Sequence, residues 1–176
     1  MTMMPFYLVN RELAVNETRV ITLTAPILQN RQLVLPVDEY GFTELYCTEV
    51  GCDCRRVMIN VFSRHAEAHV ATISHGFEPP DDKDDYFGQT FLDPLNRQSS
   101  YSTALLDLFV SLLKSDESYR QRLERHYQIF KEAIADPAHP CQPYVRMLNG
   151  DEDTGPNVMR QLPKRSTRNQ KKKRRR

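Results

Sequence analysis

Three of the four cysteines in this chain fall within eight residues, in the segment Cys47-Thr-Glu-Val-Gly-Cys52-Asp-Cys54. The spacing C-x4-C-x-C is typical of a knuckle that turns three thiolates toward one point. Soft and borderline metal ions prefer thiolate ligands, and Zn2+ is the first candidate among these ions. The sequence therefore predicts a zinc site that includes Cys47, Cys52 and Cys54.

A closed structural zinc site needs four ligands, and the cysteine cluster supplies three. His126 is the first candidate for the fourth, because it borders the apolar stripe of a predicted helix. His75, at the end of a predicted strand, and Cys141, in a proline-rich loop, are alternatives, and water is another. Three thiolates with His126 form a closed structural site, whereas three thiolates with water leave an open position of the kind that hydrolases use.

Other functions remain open for the same cysteines. Arg55 and Arg56 follow the cluster directly, and neighbouring cations favour reactive thiolates of the kind found in redox sensors. Buried, inert thiols are the plain structural alternative. The sequence contains no glycine-rich phosphate loop, no nucleophile elbow and no His-Glu-x-x-His string. These absences favour a protein that is not an enzyme.

The order of hydrophobic patterns predicts strands first and helices second. Residues 18–24, 32–37, 42–47, 57–62 and 69–75 show the composition and alternation of β-strands. Two helical patterns follow, the first after Ser99 and Ser100 and the second from Ser115 or Asp116 to about residue 135. We predict an α+β fold: a mostly antiparallel sheet of about five strands within residues 6–75, with a C-terminal helix pair packed on one face.

The charge distribution divides the chain. Residues 163–176 hold nine Lys or Arg and no acid, whereas the preceding residues carry a net charge of −8. We expect a single α+β domain over residues 1–136, an irregular wrapping segment or linker over 137–162, and a disordered basic tail over 163–176. The tail is expected to bind nucleic acid or another polyanion. Its last six residues are Lys171, Lys172, Lys173, Arg174, Arg175 and Arg176.

Neither a membrane segment nor an export signal is expected. The sequence has no run of 18 apolar residues, and its first residues lack the basic and apolar regions of a signal peptide. The predicted location is therefore the cytoplasm, where thiols stay reduced, and this favours a metal over a disulfide at the cysteine cluster.

Several strings resemble a group of uncharacterised bacterial proteins, some of which carry a C-terminal SEC-C motif, a small cysteine-rich zinc knuckle. The resemblance covers roughly residues 45–132. Its strings are Leu45-Tyr-Cys47, Cys52-Asp-Cys54-Arg-Arg-Val, Val70-Ala-Thr-Ile-Ser, Phe91-Leu-Asp-Pro-Leu-Asn and Arg125-His-Tyr-Gln-Ile-Phe-Lys. This chain departs from the pattern after Met159, where the basic tail stands and no cysteine follows. The resemblance implies metal binding and supplies no activity.

Overall fold

The computed structural model of the protein describes residues 2–78 and 89–150. These residues form a six-stranded sheet, a separate two-stranded hairpin and four α-helices. The strands are β1 (Met3–Pro5), β2 (Arg19–Leu23), β3 (Ile27–Gln29), β4 (Gln32–Leu35), β5 (Asp38–Cys47), β6 (Arg56–Ser63), β7 (Ala68–Gly76) and β8 (Thr90–Leu92). The helices are α1 (Arg11–Glu17), α2 (Ser102–Ser115), α3 (Glu117–Ala135) and α4 (Gln142–Asn149).

Strand β5 organises the large sheet. Its first half pairs with β2, its last three residues pair with β1, and its other edge pairs with β6. The sheet then continues through β7 to β8, and every pairing is antiparallel. All eight strands of the described residues come before the helix pair α2 and α3 in the chain. The prediction of an α+β fold with a mostly antiparallel sheet is therefore confirmed.

The core lies between the sheet and the helices α2 and α3. Alternate residues of β5 and β6 are buried, as expected for strands with one covered face. Across this interface the ring of Phe42 stacks on Phe109 of α2, with centroids 6.1 Å apart. The ring of Tyr46 lies 5.3 Å from that of Phe130 on α3. The predicted apolar stripe of α3 is therefore the surface that packs on the sheet.

Helix α3 begins where the sequence predicted. Asp116 is its N-cap, and the carboxylate accepts a hydrogen bond from the backbone N–H of Tyr119 over 3.0 Å. The same carboxylate pairs with Arg19 of β2. Asp116 therefore both starts α3 and connects it to the edge of the sheet. Helix α2 differs from expectation, because its N-cap is Tyr101 and neither Ser99 nor Ser100 caps it.

Three local predictions need correction. Residues 137–162 were expected to be irregular, but Gln142–Asn149 form α4, which buries Val145 and ends at Gly150 in the left-handed conformation. Helix α1 was not predicted, because its seven residues include none that is buried. The strand expected over 32–37 lies in the β3–β4 hairpin, outside the large sheet. Residues 79–88 and residues 151–176, which include the predicted basic tail, lie outside the described part of the chain.

The packing of Phe109 generates a stability prediction. This residue is fully buried, and its ring contacts Phe42, His75 and Tyr119. Phe109→Ala should lower the free energy of unfolding by about 3–5 kcal/mol, because it leaves a cavity between α2 and the sheet. Urea unfolding followed by circular dichroism measures the change. Leu95→Ala is the control, since Leu95 is 92% exposed; equal stability losses in the two variants would contradict this packing.

Candidate metal centre

The three clustered cysteines converge at one end of the sheet. Cys47 is the last residue of β5, and Cys52 and Cys54 lie in the connection that leads to β6. Their Sγ atoms all lie within 4.8 Å of one another. In a tetrahedral zinc site with Zn–S bonds of about 2.3 Å, two sulfurs are separated by about 3.8 Å. Three thiols at these distances can therefore bind one metal ion after a small inward movement.

Backbone amides surround each sulfur in the same way. The N–H groups of Glu49, Cys54 and Arg56 donate to the sulfurs of Cys47, Cys52 and Cys54, in that order. Each donor lies two residues after the cysteine that it serves. Hydrogen bonds to sulfur stabilise the thiolate form, which is the form that binds a metal. In each case the N–H lowers the pKa of the thiol and so opposes the effect of burial.

Two features of the connecting loop produce this arrangement. The N–H of Cys52 donates to the carbonyl of Glu49 over 3.2 Å, which closes a turn that contains Gly51. Arg55 then adopts a left-handed backbone conformation with a φ of 41°. Such a conformation costs a non-glycine residue about 1–2 kcal/mol. The strained residue directly follows Cys54, where the chain turns from the cluster into β6.

The three thiols experience different environments. Burial raises the pKa of Cys47, and it raises the pKa of Cys54 to about 12. The pKa of Cys52 is lowered, first by the N–H of Cys54 and then by the Cys54 thiol. A metal ion must displace protons from the two thiols whose pKa is raised. Metal affinity at this cluster should therefore fall as the pH is lowered.

Several elements meet at the cluster. The Nζ of Lys131 on α3 donates to the carbonyl of Glu49 over 2.7 Å, within the connecting loop. Thr48, next to Cys47, donates its backbone N–H to Thr2 and its hydroxyl to Asn149 at the end of α4. The loop is therefore held by the N-terminal segment, α3 and α4 together.

The structure does not bring His126 to the cysteines. Its ring is 1% exposed, its Nδ1 lies 2.7 Å from the carboxylate of Glu44, and its Nε2 faces Glu17 over 3.2 Å. Both ring nitrogens are thus directed at carboxylates, and the nearer carboxylate, that of Glu44, lies three residues before Cys47 on β5. The expectation that His126 completes the zinc site is therefore corrected.

The other candidate ligands also lie elsewhere. The Nδ1 of His75 forms a hydrogen bond with the hydroxyl of Thr90 over 2.8 Å. The thiol of Cys141 faces the carbonyl of Ala133 over 3.8 Å. Among residues 2–78 and 89–150, the group that can hold a metal contains Cys47, Cys52 and Cys54 and no fourth His, Cys, Asp or Glu. The six cations at 171–176 lie outside the described residues.

The two arginines beside the cluster have separate roles. Arg55 pairs with Glu78 over 3.0 Å. The guanidinium of Arg56 donates to the hydroxyl of Ser74 and the carbonyl of Gln89, and it lies over the ring of Phe91. These contacts connect Arg55 to the segment that follows β7, and Arg56 to β7 and the start of β8.

The sequence did not reveal a second polar group, which joins His126 to Glu44 and Glu17. Glu44 is 7% exposed, and it also accepts a hydrogen bond from the hydroxyl of Tyr46 over 2.9 Å. The signal was present in β5, where a glutamate occupies a position between the buried residues Phe42 and Tyr46. A charged residue on the covered face of a strand needs a buried partner.

The environment of His75 generates a pH prediction. Burial, assisted by Arg56 and Arg120, lowers the pKa of this ring to about 4, whereas an unfolded histidine titrates near 6.5. Between these values the unfolded chain binds a proton that the folded chain does not. The free energy of unfolding should therefore fall as the pH is lowered from about 6.5 to about 4. His75→Gln should remove this part of the pH dependence in urea titrations, and an unchanged slope would contradict it.

Comparisons with known proteins give no match. No protein-family model, no curated protein and no solved structure matches this chain. Within residues 2–78 and 89–150, no helix combines the length and apolar character needed to cross a membrane. A function for this protein must accordingly be derived from the cysteine cluster and its surroundings.

Proposed function

We propose that the protein is a zinc-binding protein in which Cys47, Cys52 and Cys54 hold one Zn2+ in a structural role. The observation that carries this proposal is the convergence of three sulfurs, each of which accepts an N–H bond from the second residue after it. Three thiols packed for their volume alone would not need this repeated backbone pattern.

The ligand type selects the metal. Thiolates favour Zn2+, Cu+ and iron–sulfur clusters over Mg2+, Ca2+ and Mn2+. Zn2+ with three thiolates carries a net charge of −1, and the ammonium of Lys131 lies close enough to the cluster to favour the anionic state of Cys47 and Cys52. Zn2+ accommodates a small tetrahedral site in a tight loop without redox chemistry. It therefore fits this donor set best.

The fourth position of the metal defines the alternatives. Among the described residues, no imidazole or carboxylate joins the three thiols. Water or an added ligand would fill the fourth position. This corresponds to the open site, three thiolates with water, that the sequence analysis gave as an alternative. Hydrolysis also needs a general base positioned at that water, and no carboxylate or imidazole of the described residues joins the group of three sulfurs. This argues for binding and structure over hydrolysis.

The zinc would stabilise a loop that contacts three other parts of the fold. The loop from Thr48 to Arg55 contacts the N-terminal segment, α3 and the end of α4. The described chain ends at Gly150, directly after the Asn149 side chain that contacts this loop. The metal would therefore stabilise the contacts that hold the N-terminal segment, α3 and α4 together at this loop.

Metal analysis tests the proposal. Protein purified without a histidine tag should contain about one zinc per chain by elemental analysis. Cys52→Ser should lose most of the metal, because two thiolates hold zinc far more weakly than three. Cys141→Ser is the matched control, since it removes the fourth cysteine and should retain full zinc content. His126→Gln should also retain the zinc that depends on Cys52, in contrast to the closed site expected from the sequence.

Co2+ substitution examines the fourth position of the same site. Intense sulfur-to-cobalt absorption that disappears in Cys52→Ser would support the thiolate site, and a shift of the cobalt bands on adding imidazole would show an exchangeable ligand. Absence of metal from the native protein would overturn the proposal. Rapid loss of free thiols to peroxide in such metal-free protein would favour the redox alternative, which the lowered pKa of the partly exposed Cys52 supports.

We further propose that the basic tail binds nucleic acid or another polyanion. Residues 163–176 carry nine positive charges without an acid, and cations that neutralise phosphates release condensed counterions. The preceding residues have a net charge of −8. Such an acidic body repels the same polyanion, so the tail would supply the attraction and the body would limit it.

Truncation after residue 163 provides the test for the tail. The truncated protein should bind a fluorescent single-stranded RNA more weakly than the full chain, with a flatter dependence of log affinity on log salt, because fewer phosphates are neutralised. A chain with Lys171, Lys172 and Lys173 changed to Gln is the intermediate control. Equal affinity and equal salt slope in all three proteins would exclude a polyanion-binding role.

A further inference from the structure

A small pocket lies beside His126, on the helix side of β5 and apart from the cysteine cluster. Its interior of about 30 Å³ is lined by Phe6, Tyr7, Ala14, Thr18, Thr43, Glu44 and His126. A space of this size accommodates about two water-sized ligands. Phe6 stacks on the imidazole with ring centroids 4.2 Å apart. The pocket therefore presents one edge of a fixed histidine ring.

Glu44 fixes the orientation of this ring. Its carboxylate lies 2.7 Å from Nδ1 of His126 and also accepts the hydroxyl of Tyr46 over 2.9 Å. A carboxylate at Nδ1 holds the proton on that nitrogen and leaves the lone pair on Nε2. Metal-bound histidines almost always show such a carboxylate partner on the nitrogen that does not bind the metal.

The lone pair on Nε2 of His126 has no hydrogen-bond partner. Nε2 of His126 is buried and makes no hydrogen bond. The nearest charged group is Glu17, whose carboxylate oxygen lies 3.2 Å away but outside hydrogen-bonding geometry. Two acceptors that face each other at this distance in a buried site repel unless a cation or donor lies between them. An orphaned buried nitrogen of this kind calls for a partner that the protein itself does not supply.

The spacing of the two acceptors matches that of two ligands of one metal ion. A nitrogen and an oxygen that each lie about 2.1 Å from a shared ion are separated by about 3.0–3.4 Å. The lone pair of the nitrogen then points at the ion and not at the oxygen. The 3.2 Å separation of His126 Nε2 and Glu17 Oε2 falls in this range. From these contacts we infer that His126 and Glu17 form a second metal site, which binds a divalent cation of the Mn2+, Fe2+ and Zn2+ class with water as the remaining ligands.

The charges around the pocket agree with a cationic occupant. Glu44 and Glu17 contribute two negative charges, and Arg125, which is 55% exposed, pairs with Glu17. The two carboxylates and the guanidinium together carry a net charge of −1, which a divalent cation reverses. Nitrogen and oxygen donors suit Mn2+, Fe2+ and Zn2+, whereas the thiolates of the cysteine cluster disfavour Mn2+. The two sites therefore differ in the metals they prefer.

Mn2+ is the probe for this site, because it discriminates against the cysteines. Full-length protein is titrated with Mn2+, and the free ion is followed by its EPR signal. One Mn2+ per chain should bind, and Cys52→Ser should leave that binding unchanged. His126→Gln and Glu17→Gln should each weaken it about 10-fold or more. Glu12→Gln, which alters an exposed glutamate of the same helix α1, is the matched control.

The variants separate a metal site from a purely structural role. Glu17 is partly exposed, so Glu17→Gln should keep the fold even if His126→Gln is unstable, and circular dichroism checks both. Glu44→Gln should also weaken Mn2+, since it removes the carboxylate that orients the ring. Absence of Mn2+ binding would overturn the inference, as would equal affinity in native protein and Glu17→Gln. Loss of binding in Glu12→Gln would also overturn it.

Discussion

The register of β5 is the constraint on which the other features of this protein depend. This strand pairs with β1, β2 and β6, and its alternate residues Tyr40, Phe42, Glu44 and Tyr46 face the helices. Because side chains alternate with a period of two, a slip of one residue would expose this whole set. It would also carry Cys47 away from the point where the chain turns. Core packing, the buried polar group and the cysteine cluster therefore all depend on the register of β5.

The buried polar group shows why the register must be held firmly. Placing the carboxylate of Glu44 in the core costs several kcal/mol of solvation, and this cost is offset only by well-placed partners. The hydroxyl of Tyr46 comes from the same strand, but His126 comes from α3. Glu44 can therefore be satisfied only when α3 is docked in one position along the sheet. Such a network stabilises the correct packing chiefly by penalising alternatives.

The sequence predicted features whose signal is local. The alternation of residues 18–24 predicted β2, the continuous apolar run of residues 57–62 predicted β6, and the stripe of α3 predicted the face that packs on the sheet. Three cysteines in eight residues likewise lie close together in any compact loop. Helix α1 escaped prediction because it buries none of its side chains, and α4 because its eight residues span little more than two turns.

His126 illustrates what local reasoning lacks. Its position beside an apolar stripe correctly predicted burial, but the identity of its partner depends on which strand lies under α3 and on which face of that strand a residue stands. Glu44 and Cys47 are three residues apart on β5, and they have different neighbours: Glu44 meets His126, and Cys47 meets Cys52 and Cys54. Nothing in the helix sequence distinguishes these two partners. Only the pairing of β5 with its neighbours decides that the histidine meets a carboxylate and not a thiol.

The N-terminal segment connects the two candidate metal sites through β5. Thr2 contacts the cysteine loop, Phe6 stacks on His126, and Glu17 faces the same ring from α1. β1, between Thr2 and Phe6, pairs with the last residues of β5. Metal at the thiolates would fix the end of β5, and metal at His126 would fix α1 against its middle. Strand β1 lies between the residues that contact the two sites. Metal bound at either site should therefore order the N-terminal segment and so favour metal binding at the other site.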